Sequence, residues 1–545
     1  MVNGKEGNGS DKYPKRFAIT AVQGAQNPSN ASKYGQNSKA GAPHKEFLGC
    51  LDRYCKAGNA EEIIQAIQGS YVGEIELAKY FRDRCQTKED VYMETARLRR
   101  LFSQRRREEN IRKKNPEYRH YFWDEIPFVR YDPLNFKRLN TKIGIIEVQD
   151  PSQNEDPITG NKDIPQDYLG MSVVMPHTKQ RLVAVPKDLG GKFPRLELST
   201  GVCTHPNYNE TNHVGKKAKR HHQYGFCAVD ILDERTYLPR LVPARTDGTF
   251  IDFGVEYRPG KVPRRASTAA LVLGDMHIPF NDPDSTKASF EMIKYFKPRE
   301  VFIHDLLDFN SINHFMWDDT VYRMLLAEKS KEIGFEFDYL EAELKAGLDF
   351  LNELAEVAKH SVINIVASNH DMFLYKWITT DRHLKDPKNS RLGSLIRGHF
   401  YEHDSPLERG LEQIGKIPSN VKFLSLTDDE RPWGYECASH GHLGINGAAG
   451  NSLKSFKVSY GKGIKGHSHS LEVNGHAISV GTNSIIPLDY QRGSPSGSLH
   501  GNAIIYDGDL SQALPIIHEK WIPPEILDRW GKKNIHSNLE ELSEE

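Results

Sequence analysis

Five short polar motifs in the second half of the chain carry residue types that bind divalent metal ions. Nearly all of them follow a predicted β-strand, and the strand ends of an α/β sheet face a common crevice, so the motifs can converge. They supply carboxylate, amide and imidazole ligands and no cysteine, which suits two borderline-hard ions sharing one carboxylate. In chain order the motifs are Gly274-Asp275-Met276-His277, His304-Asp305-Leu306-Leu307-Asp308, Ser368-Asn369-His370-Asp371, His440-Gly441-His442 and Gly466-His467-Ser468-His469.

This series resembles the calcineurin-like metallophosphoesterase superfamily, in which DxH, GDxxD, GNH[DE], a histidine and GHxH follow one another. The resemblance covers roughly residues 270–485. It implies an α/β fold class, a four-layer α/β/β/α sandwich, and two divalent metal ions, with Mn²⁺ favoured over Zn²⁺, Fe and Mg²⁺. His304 and Ser368 stand where the family has glycine, which predicts a different local backbone at those two positions.

The resemblance also implies seven metal ligands, of which Asp305 bridges the two ions. His440 and His442 are alternatives within one motif, and the family position favours His440. The remaining ligands are Asp275, His277 and His469 for the first ion, and Asn369, His440 and His467 for the second.

Supporting residues follow from the same motifs. In the family, the histidine at the position of His370 lies beside the scissile phosphate, so His370 is the expected general acid, with Asp371 placed to orient it or stabilise its charge. Three further residues would contact the ligands rather than the metal ions and would hold the ligands in place: Asp308, His304 and His442. A packed histidine at the end of a strand is the alternative for His304.

The implied chemistry is hydrolysis of a phosphoester. Two adjacent cations lower the pKa of a shared water, so that a metal-bridging hydroxide exists at neutral pH, and they neutralise charge on the phosphate. Attack is in line, and His370 protonates the departing oxygen. No nucleophile elbow or Walker loop occurs in the sequence, so no covalent intermediate is expected.

The elements that must position these motifs divide the chain into five parts. Alternating strand and helix patterns predict an α/β catalytic domain over 266–520. Short apolar runs broken by turn residues predict a β-rich module over 123–265, and helical periodicity predicts a helix-turn-helix-like part over 44–122. Residues 1–43 are expected to be a flexible tail and 521–545 a C-terminal tail that is acidic from about Lys532 onwards.

Basic clusters outside the motifs favour a polyanion as partner. One lies in the last predicted helix of the 44–122 part, at Arg99, Arg100, Arg105, Arg106 and Arg107. Another lies in a predicted loop over 204–222, at Lys216, Lys217 and Arg220. A third follows Asp371 in a stretch that could cap the site, at Arg382, Lys385, Lys388, Arg391 and Arg397. A solvated surface is the alternative for each, and an oligomerisation arm is another for the helix.

These clusters favour DNA over a small ester. The wider layout, STGV…PNYNET…GKKAKRHH…DGTFIDFG ahead of the DxH motif, resembles large phage-encoded metallophosphoesterases, among them early proteins of tailed siphophages that degrade host DNA. That resemblance implies a manganese-dependent DNA nuclease, acting as a homo-oligomer in the cytoplasm of an infected bacterium. The alternatives are a phosphatase or small-molecule phosphodiesterase, and a DNA-binding regulatory protein whose metal domain does not hydrolyse.

Composition excludes other classes. Among 545 residues, 72 Lys and Arg stand against 73 Asp and Glu, for a net charge of −1, so the chain is not a uniformly basic nucleic-acid coat. With 38% hydrophobic residues it can bury sizeable cores, which excludes wholesale disorder. Six scattered cysteines form no disulfide scaffold. Without a signal-peptide core or a run of ~18 apolar residues, a reduced, cytoplasmic protein with no membrane association is predicted.

Overall fold

The structure is a computed structural model. It describes residues 15–22, 44–54, 62–67, 70–72, 136–146, 158, 171–186, 194–208, 210–211, 213–313, 320–399, 405–488, 495–524 and 526–527. Within these ranges the helices are α1 (Lys45–Tyr54), α2 (His213–Arg220), α3 (Pro283–Phe296), α4 (Thr320–Ile333), α5 (Leu340–Val357), α6 (Asp371–Thr379), α7 (Ser390–His399), α8 (Pro406–Ile414) and α9 (Leu453–Tyr460). No helix in the described ranges has the length and apolar character needed to cross a bilayer.

The described strands belong to four sheets. The first thirteen are β1 (Lys15–Val22), β2 (Glu62–Ile67), β3 (Ser70–Val72), β4 (Phe136–Arg138), β5 (Ile143–Ile146), β6 (Ser172–Met175), β7 (Gln180–Val185), β8 (Arg195–Thr200), β9 (Gly225–Ile231), β10 (Tyr237–Pro243), β11 (Phe250–Asp252), β12 (Val255–Tyr257) and β13 (Arg264–Arg265). The others are β14 (Thr268–Leu273), β15 (Glu300–Ile303), β16 (Val362–Val366), β17 (Val421–Leu424), β18 (Gly463–Lys465), β19 (Glu472–Asn474), β20 (Ala477–Ser479), β21 (Gly501–Tyr506) and β22 (Leu510–Pro515).

A six-stranded sheet positions most of the motifs, in the order β17-β16-β15-β14-β21-β22. Its first four strands run parallel, β21 runs antiparallel to β14, and β22 runs antiparallel to β21 and so in the direction of the first four. Strand β14 reads TAALVL and is buried throughout, as expected of a strand covered on both faces. The carboxyl ends of β14, β15 and β16 therefore lie side by side at one edge.

Helices cover one face of this sheet. The stripe of Leu340, Leu344, Leu348 and Leu351 gives α5 an apolar side that packs against the sheet. Helix α3 begins where the Asp282 side chain accepts a hydrogen bond from the Ser285 amide, and it ends at Lys297 in the left-handed conformation. Helices α6, α7 and α8 add further residues to the same core.

An eight-stranded sheet covers the other face, in the order β18-β20-β19-β7-β8-β6-β5-β4. Ala270 and Val272 of β14 share one core with Leu182 and Leu198 of this second sheet. The described chain is therefore a mixed α/β structure in which one sheet lies between helices and a second sheet.

The boundary predicted at 265/266 does not separate these sheets. Strands β4–β8 precede it and β18–β20 follow it, yet β7 pairs with β19, with Leu182 opposite Val473. The β-rich segment is thus half of a sheet that the later segment completes. Short strands with one apolar face must find partners, and here the partners are distant in the chain.

Two N-terminal expectations need correction. The predicted flexible tail 1–43 contains β1, which pairs with β9 and β2 in a five-stranded sheet. The predicted helical part 44–122 does contain α1, but Glu62–Ile67 and Ser70–Val72 form strands. The sequence EIIQAI has helical and strand character, and pairing with β1 decides for the strand. The long basic helix expected after residue 87 lies outside the described residues.

Three further expectations change. The predicted loop 204–222 contains α2, whose Lys and Ala residues favour a helix and whose Ala218 is buried. The stretch after Asp371 is not a separate cap, because α7 and α8 contribute to the core and β17 joins the six-stranded sheet. Two of its basic residues have partners, since Arg397 donates to the Ile378 carbonyl and Lys388 pairs with Asp338.

The predicted C-terminal tail 521–545 begins inside the folded core. Trp521 is 2% exposed and its ring centroid lies 5.5 Å from that of Phe296 and 5.6 Å from that of Tyr295. Its indole nitrogen donates to Glu291 at 3.3 Å. Residues 528–545 lie outside the described residues.

We expect Trp521→Ala to lower the free energy of unfolding by about 3–5 kcal/mol, because it empties a buried aromatic site. Urea unfolding followed by circular dichroism measures this value. Trp433→Ala is the control, since Trp433 is 48% exposed and should cost no more than about 1 kcal/mol. Equal losses in the two variants would contradict the packing of Trp521.

Candidate metal centre

The five motifs meet where strand ends of the two large sheets come together. Asp275 and His277 follow β14, Asp305 follows β15, and Asn369 follows β16. His467 and its neighbours follow β18 of the eight-stranded sheet. The two sheets are held together here because the Asp275 amide donates to the Gly481 carbonyl, and Thr482 Oγ1 donates to the Asp275 carbonyl at 2.8 Å.

One group of ligand-type atoms is fully buried. It consists of Asp275, His277, Asp305 and His469, whose ligand atoms lie within 4.8 Å of one another. The Nε2 atoms of His277 and His469 are 2.9 Å apart. His469 Nε2 lies 3.2 Å from Asp275 Oδ2, and His277 Nε2 lies 3.7 Å from Asp305 Oδ2.

A second group adjoins it and shares one atom with it. Asn369 Oδ1 lies 3.0 Å from His440 Nε2 and 3.0 Å from His467 Nδ1. His440 Nε2 also lies 3.0 Å from Asp305 Oδ2, the atom that faces the first group. Asn369 and His467 are half-buried, so this second group is the one open to solvent.

These contacts are those of a site that can hold a metal ion. Asp275 Oδ1 and Asp305 Oδ1 are buried with no hydrogen-bond partner among the described residues, and a buried carboxylate oxygen left in that state is costly. Two imidazole Nε2 atoms in contact cannot both be acceptors without a cation or proton between them. A cation would meet all of these demands, and the histidine, carboxylate and amide donors suit a borderline-hard divalent ion.

The backbone at the ligands is unusual. His277, Asp305, His467 and His469 have φ of 50°, 42°, 74° and 54°, in the left-handed region that side chains other than glycine rarely adopt. A Cβ atom at Gly466 would lie 2.2 Å from Asp275 Oδ1, so glycine is required there. Neither His304 nor Ser368 has a positive φ, so the glycines expected at these positions are not needed for the turn.

Asp308 connects two of the histidines. His277 Nδ1 lies 3.0 Å from Asp308 Oδ1, which leaves His277 Nε2 directed at the first group. His370 Nδ1 lies 2.8 Å from the Asp308 carbonyl oxygen. Donation to that carbonyl leaves Nε2 of His370 as the nitrogen with which the ring can act on another molecule.

The structure distinguishes the two roles expected of Asp371, orientation of His370 and stabilisation of its charge. Its carboxylate accepts a hydrogen bond from the Ser368 amide at 2.9 Å, at the beginning of α6, and Asp308 orients the His370 ring. Burial raises the pKa of Asp371 to about 6. Asp371 still acts on His370 through its charge, as one of the smaller influences that raise the pKa of His370.

His440 and His442 differ in their contacts. His440 contacts Asp305 and Asn369, as described above, whereas the ring centroid of His442 lies 5.5 Å from that of His440 and 6.3 Å from that of His467. Behind His440, its Nδ1 lies 3.3 Å from His304 Nδ1. Burial lowers the pKa of His304 to about 3, so His304 is neutral and its Nδ1 can accept a hydrogen bond from His440 Nδ1–H.

The carboxylates are ionised despite their burial. Burial opposes the charge of Asp275, but the hydrogen bond with His469 and the charges of His440 and His469 outweigh it and lower the pKa to about 2. Burial likewise opposes the charge of Asp305, and His440 and His370 lower its pKa well below the usual range. Burial also opposes protonation of His370, but Asp305 and Asp308 raise its pKa.

Sequence reasoning missed a buried glutamate that supports the second motif. Glu343 accepts hydrogen bonds from the amides of Asn310 and Ser311 and from the Ser311 hydroxyl, directly after Asp308. Burial raises the pKa of Glu343 to about 8. Its position on the apolar stripe of α5, one residue before Leu344, was the signal that could have identified it.

The predicted DNA contacts fall into two sets. Lys216, Lys217 and Arg220 lie on α2, with Lys216 and Arg220 exposed and Lys217 half-buried. The second set lies outside the described residues and comprises Arg99, Arg100, Arg105, Arg106 and Arg107.

Comparison with known proteins gives one informative similarity. Protein A1 of Escherichia phage T5 is 28% identical to this chain in an alignment of 328 residues that covers 56% of this chain and 56% of the phage protein. The chain thus matches little more than half the length of that relative. No family model matches the chain, and no solved structure matches it.

We expect His440→Ala to weaken metal binding by at least about tenfold, because it removes an imidazole that contacts both Asp305 and Asn369. Equilibrium dialysis against Mn²⁺ followed by elemental analysis measures the bound metal. The matched variant His442→Ala should bind metal within about twofold of the wild type. A larger loss in His442→Ala than in His440→Ala would reverse the assignment.

Glu343 predicts a pH-dependent stability. Because folding raises its pKa from about 4.5 to about 8, the folded chain keeps a proton that the unfolded chain releases. The contribution of this proton to the free energy of unfolding is fully present below pH 4.5. It is lost as pH rises towards 8, by at most about 1.4 kcal/mol per pH unit. Between pH 5 and 8, the stability of Glu343→Gln should therefore rise relative to that of the wild type.

Urea unfolding at pH 5, 6.5, 8 and 9 provides the measurement. Glu341→Gln, on the exposed side of α5, controls for the loss of a carboxylate from this helix. A constant difference between wild type and Glu343→Gln over the whole range would show that Glu343 is ionised in the folded chain.

Proposed function

We propose that this chain is a dinuclear-metal phosphodiesterase whose substrate is DNA. The observation that carries the proposal is the position of Asp305 Oδ2, which faces His277 Nε2 of one group and His440 Nε2 of the other. One carboxylate oxygen between two sets of ligands is the arrangement expected of a bridging ligand in a two-metal site. The resemblance of the five motifs to the calcineurin-like metallophosphoesterases supports the same reading.

The proposed ligands divide between two ions. Asp305 would contribute to both ions, and the donor set contains no cysteine, which favours Mn²⁺ over softer ions and leaves Zn²⁺, Fe and Mg²⁺ as alternatives. The first ion would be held by Asp275, His277 and His469, and the second by Asn369, His440 and His467. The half-buried second group supplies the side from which a phosphate can enter.

When bound, the two ions would lower the pKa of a water molecule and neutralise charge on the phosphate. The chain itself positions the remaining groups. The hydrogen bond from His370 Nδ1 to the Asp308 carbonyl leaves Nε2 to give a proton to the leaving oxygen. The charges of Asp305 and Asp308, which raise the pKa of His370, favour the protonated form that a general acid requires.

We further propose that the catalytic fold is the four-layer sandwich of this superfamily. Three layers are the helices, the six-stranded sheet and the eight-stranded sheet. Helix α9 supports a fourth layer, because its Leu453 and Phe456 pack with Ala477 of the eight-stranded sheet.

The exposed cations of α2 and the likeness to a phage protein favour DNA as substrate. Exposed cations on α2 would contact phosphates, and the likeness to a protein of phage T5 supports action in an infected bacterial cell. We propose the host cytoplasm as the location and a homo-oligomer as the assembly. A phosphatase or small phosphodiesterase, and a regulatory DNA-binding protein without hydrolysis, are the alternatives that the following experiment distinguishes.

The test is hydrolysis with Mn²⁺ of plasmid DNA and of bis(p-nitrophenyl) phosphate. We expect cleavage of both, and a loss of about 10²–10⁴-fold in kcat on plasmid DNA for His370→Ala because the leaving sugar oxygen loses its proton donor. Metal content by elemental analysis should be unchanged in that variant. The exposed His360 provides the control variant His360→Ala, which should keep wild-type activity.

Turnover of the small ester without DNA cleavage would replace the nuclease proposal with that of a small-molecule phosphodiesterase. Metal binding and DNA binding without hydrolysis of either substrate would favour the regulatory alternative. Full activity in His370→Ala would remove this histidine from the mechanism and leave the metal assignment intact.

A further inference from the structure

A separate cluster of metal-ligand residue types lies at the beginning of α1 and includes none of the five motifs. It consists of His44, Glu46 and His205, and one ring nitrogen of each histidine and one carboxylate oxygen lie within 4.8 Å of one another. His44 and Glu46 flank the first residue of α1, whereas His205 follows β8, much later in the chain. His44 is 2% exposed, and the other two side chains are exposed. The cluster therefore has a buried anchor and an open side.

Packing between distant chain segments builds the cluster. The His44 amide donates to the Cys203 carbonyl at 2.8 Å, so the beginning of α1 lies against the segment after β8. The ring centroids of His44 and His205 are 4.5 Å apart, and the edge of the Tyr224 ring lies against His44, with centroids 4.7 Å apart. These contacts hold the two histidines next to each other in the folded chain.

The partners of the His44 ring determine which of its nitrogens can bind an ion. His44 Nε2 lies 2.8 Å from the Thr246 carbonyl oxygen and donates to it, because a carbonyl oxygen can only accept. His44 Nδ1 then faces Glu46, whose Oε2 lies 3.2 Å away. The Phe47 amide also reaches Nδ1, but at 3.4 Å it donates only weakly. Donation of the second ring nitrogen to a backbone carbonyl is the usual arrangement of a histidine that binds a metal ion.

A tyrosine holds His205 in a corresponding way. The Tyr224 hydroxyl lies 2.9 Å from His205 Nδ1, which leaves Nε2 as the nitrogen that can bind an ion. Burial, and after it the neighbouring His44, lower the pKa of His205, and the neutral ring is the form that binds metal. A backbone hydrogen bond lowers the pKa of Glu46, so the carboxylate is ionised. All three groups are thus in the protonation states that metal binding requires.

Two imidazoles and one carboxylate form a ligand set suited to zinc. Ligand atoms at about 2.0–2.2 Å from one tetrahedral Zn²⁺ ion are about 3.4 Å apart, and His44 Nδ1 and Glu46 Oε2 are 3.2 Å apart. A small shift of the exposed Glu46 and His205 side chains would bring the third ligand to this separation, and water can take the fourth position. Mn²⁺ binds such a nitrogen-containing set more weakly than Zn²⁺ does.

An ion pair is the alternative explanation for two of the three residues. A proton on His44 Nδ1 would pair the ring with the Glu46 carboxylate and would need no metal ion. Such a pair involves no third group, whereas a metal ion needs a further ligand, and His205 offers one at the same place. The two explanations differ in whether His205 affects metal binding.

We propose that His44, Glu46 and His205 bind one Zn²⁺ ion that joins the beginning of α1 to the segment after β8. This ion would be additional to the metal centre, and the inference does not depend on the proposed hydrolysis. Because the ligands come from segments that are distant in the chain, the unfolded protein has no such site. The ion therefore stabilises the folded state.

The central experiment compares Zn²⁺ binding by His205→Ala with that by the matched variant His213→Ala. His213 is an exposed histidine on α2 and is not part of the cluster. Full-length chains are stripped with a chelator, dialysed against a series of buffered Zn²⁺ concentrations and analysed for bound metal. In His205→Ala, and in Glu46→Gln, we expect the Kd of one Zn²⁺ site per chain to rise at least about tenfold. His213→Ala should bind Zn²⁺ as the wild type does.

Two further measurements locate the ion. Zn²⁺ should slow amide hydrogen exchange in α1 of the wild type at least about threefold and leave it unchanged in His205→Ala, because the ion joins α1 to another segment. Dialysis against Mn²⁺ should give the same metal content in the wild type and all three variants. That result also shows that the variants fold and that their metal centre is intact.

The outcomes decide between the zinc site and the ion pair. Equal Zn²⁺ binding and equal α1 exchange in His205→Ala and His213→Ala would overturn the proposal and leave an ion pair of His44 with Glu46. If His205→Ala also loses Mn²⁺, it has disturbed the metal centre, and Glu46→Gln then decides by the same criteria. Absence of DNA cleavage by the wild type would contradict the nuclease proposal and leave the zinc result unchanged.

Discussion

Acceptor atoms crowd a small buried volume in this protein, with few hydrogen-bond donors to satisfy them. Asp305 lies at its centre, since one of its oxygens faces two sets of ligands and the other has no partner among the described residues. Such a cluster is unfavourable on its own, because buried negative charge and lone pairs repel each other. The surrounding fold must therefore be stable enough to hold the cluster together until a cation or a proton relieves it.

The two large sheets supply that stability. Six of the seven ligands follow strands that are packed between layers, so their backbone cannot relax away from the crowded site. Left-handed conformations at four ligand positions, and the close approach of Gly466 to Asp275, are further costs that the packed layers sustain. Asp308 then fixes the two histidine rings with one side-chain and one backbone contact. The packing of the two sheets thus determines the geometry of the site.

The convergence of Asp275, Asp305, Asn369 and His467 could be predicted from the sequence, because strand ends in an α/β sheet share an edge and the motif order is specific. Other features could not be predicted. EIIQAI has no decisive periodicity, and only pairing with β1 makes it a strand. The orientation of His370 by Asp308 depends on a carbonyl, which residue types do not reveal. Helix α5 brings Glu343 to the backbone amides of Asn310 and Ser311, which are more than 30 residues away in the sequence.

The division of the eight-stranded sheet along the chain has a consequence for synthesis on the ribosome. About 260 residues separate β8 from β18, so the early strands leave the exit tunnel long before their partners are translated. Contacts over such a separation form slowly, because the intervening chain must first be ordered. His467 and His469 belong to the late half. A nascent chain therefore carries an incomplete candidate metal centre through most of its elongation, and all of its ligands are present only when the last third of the polypeptide has been made.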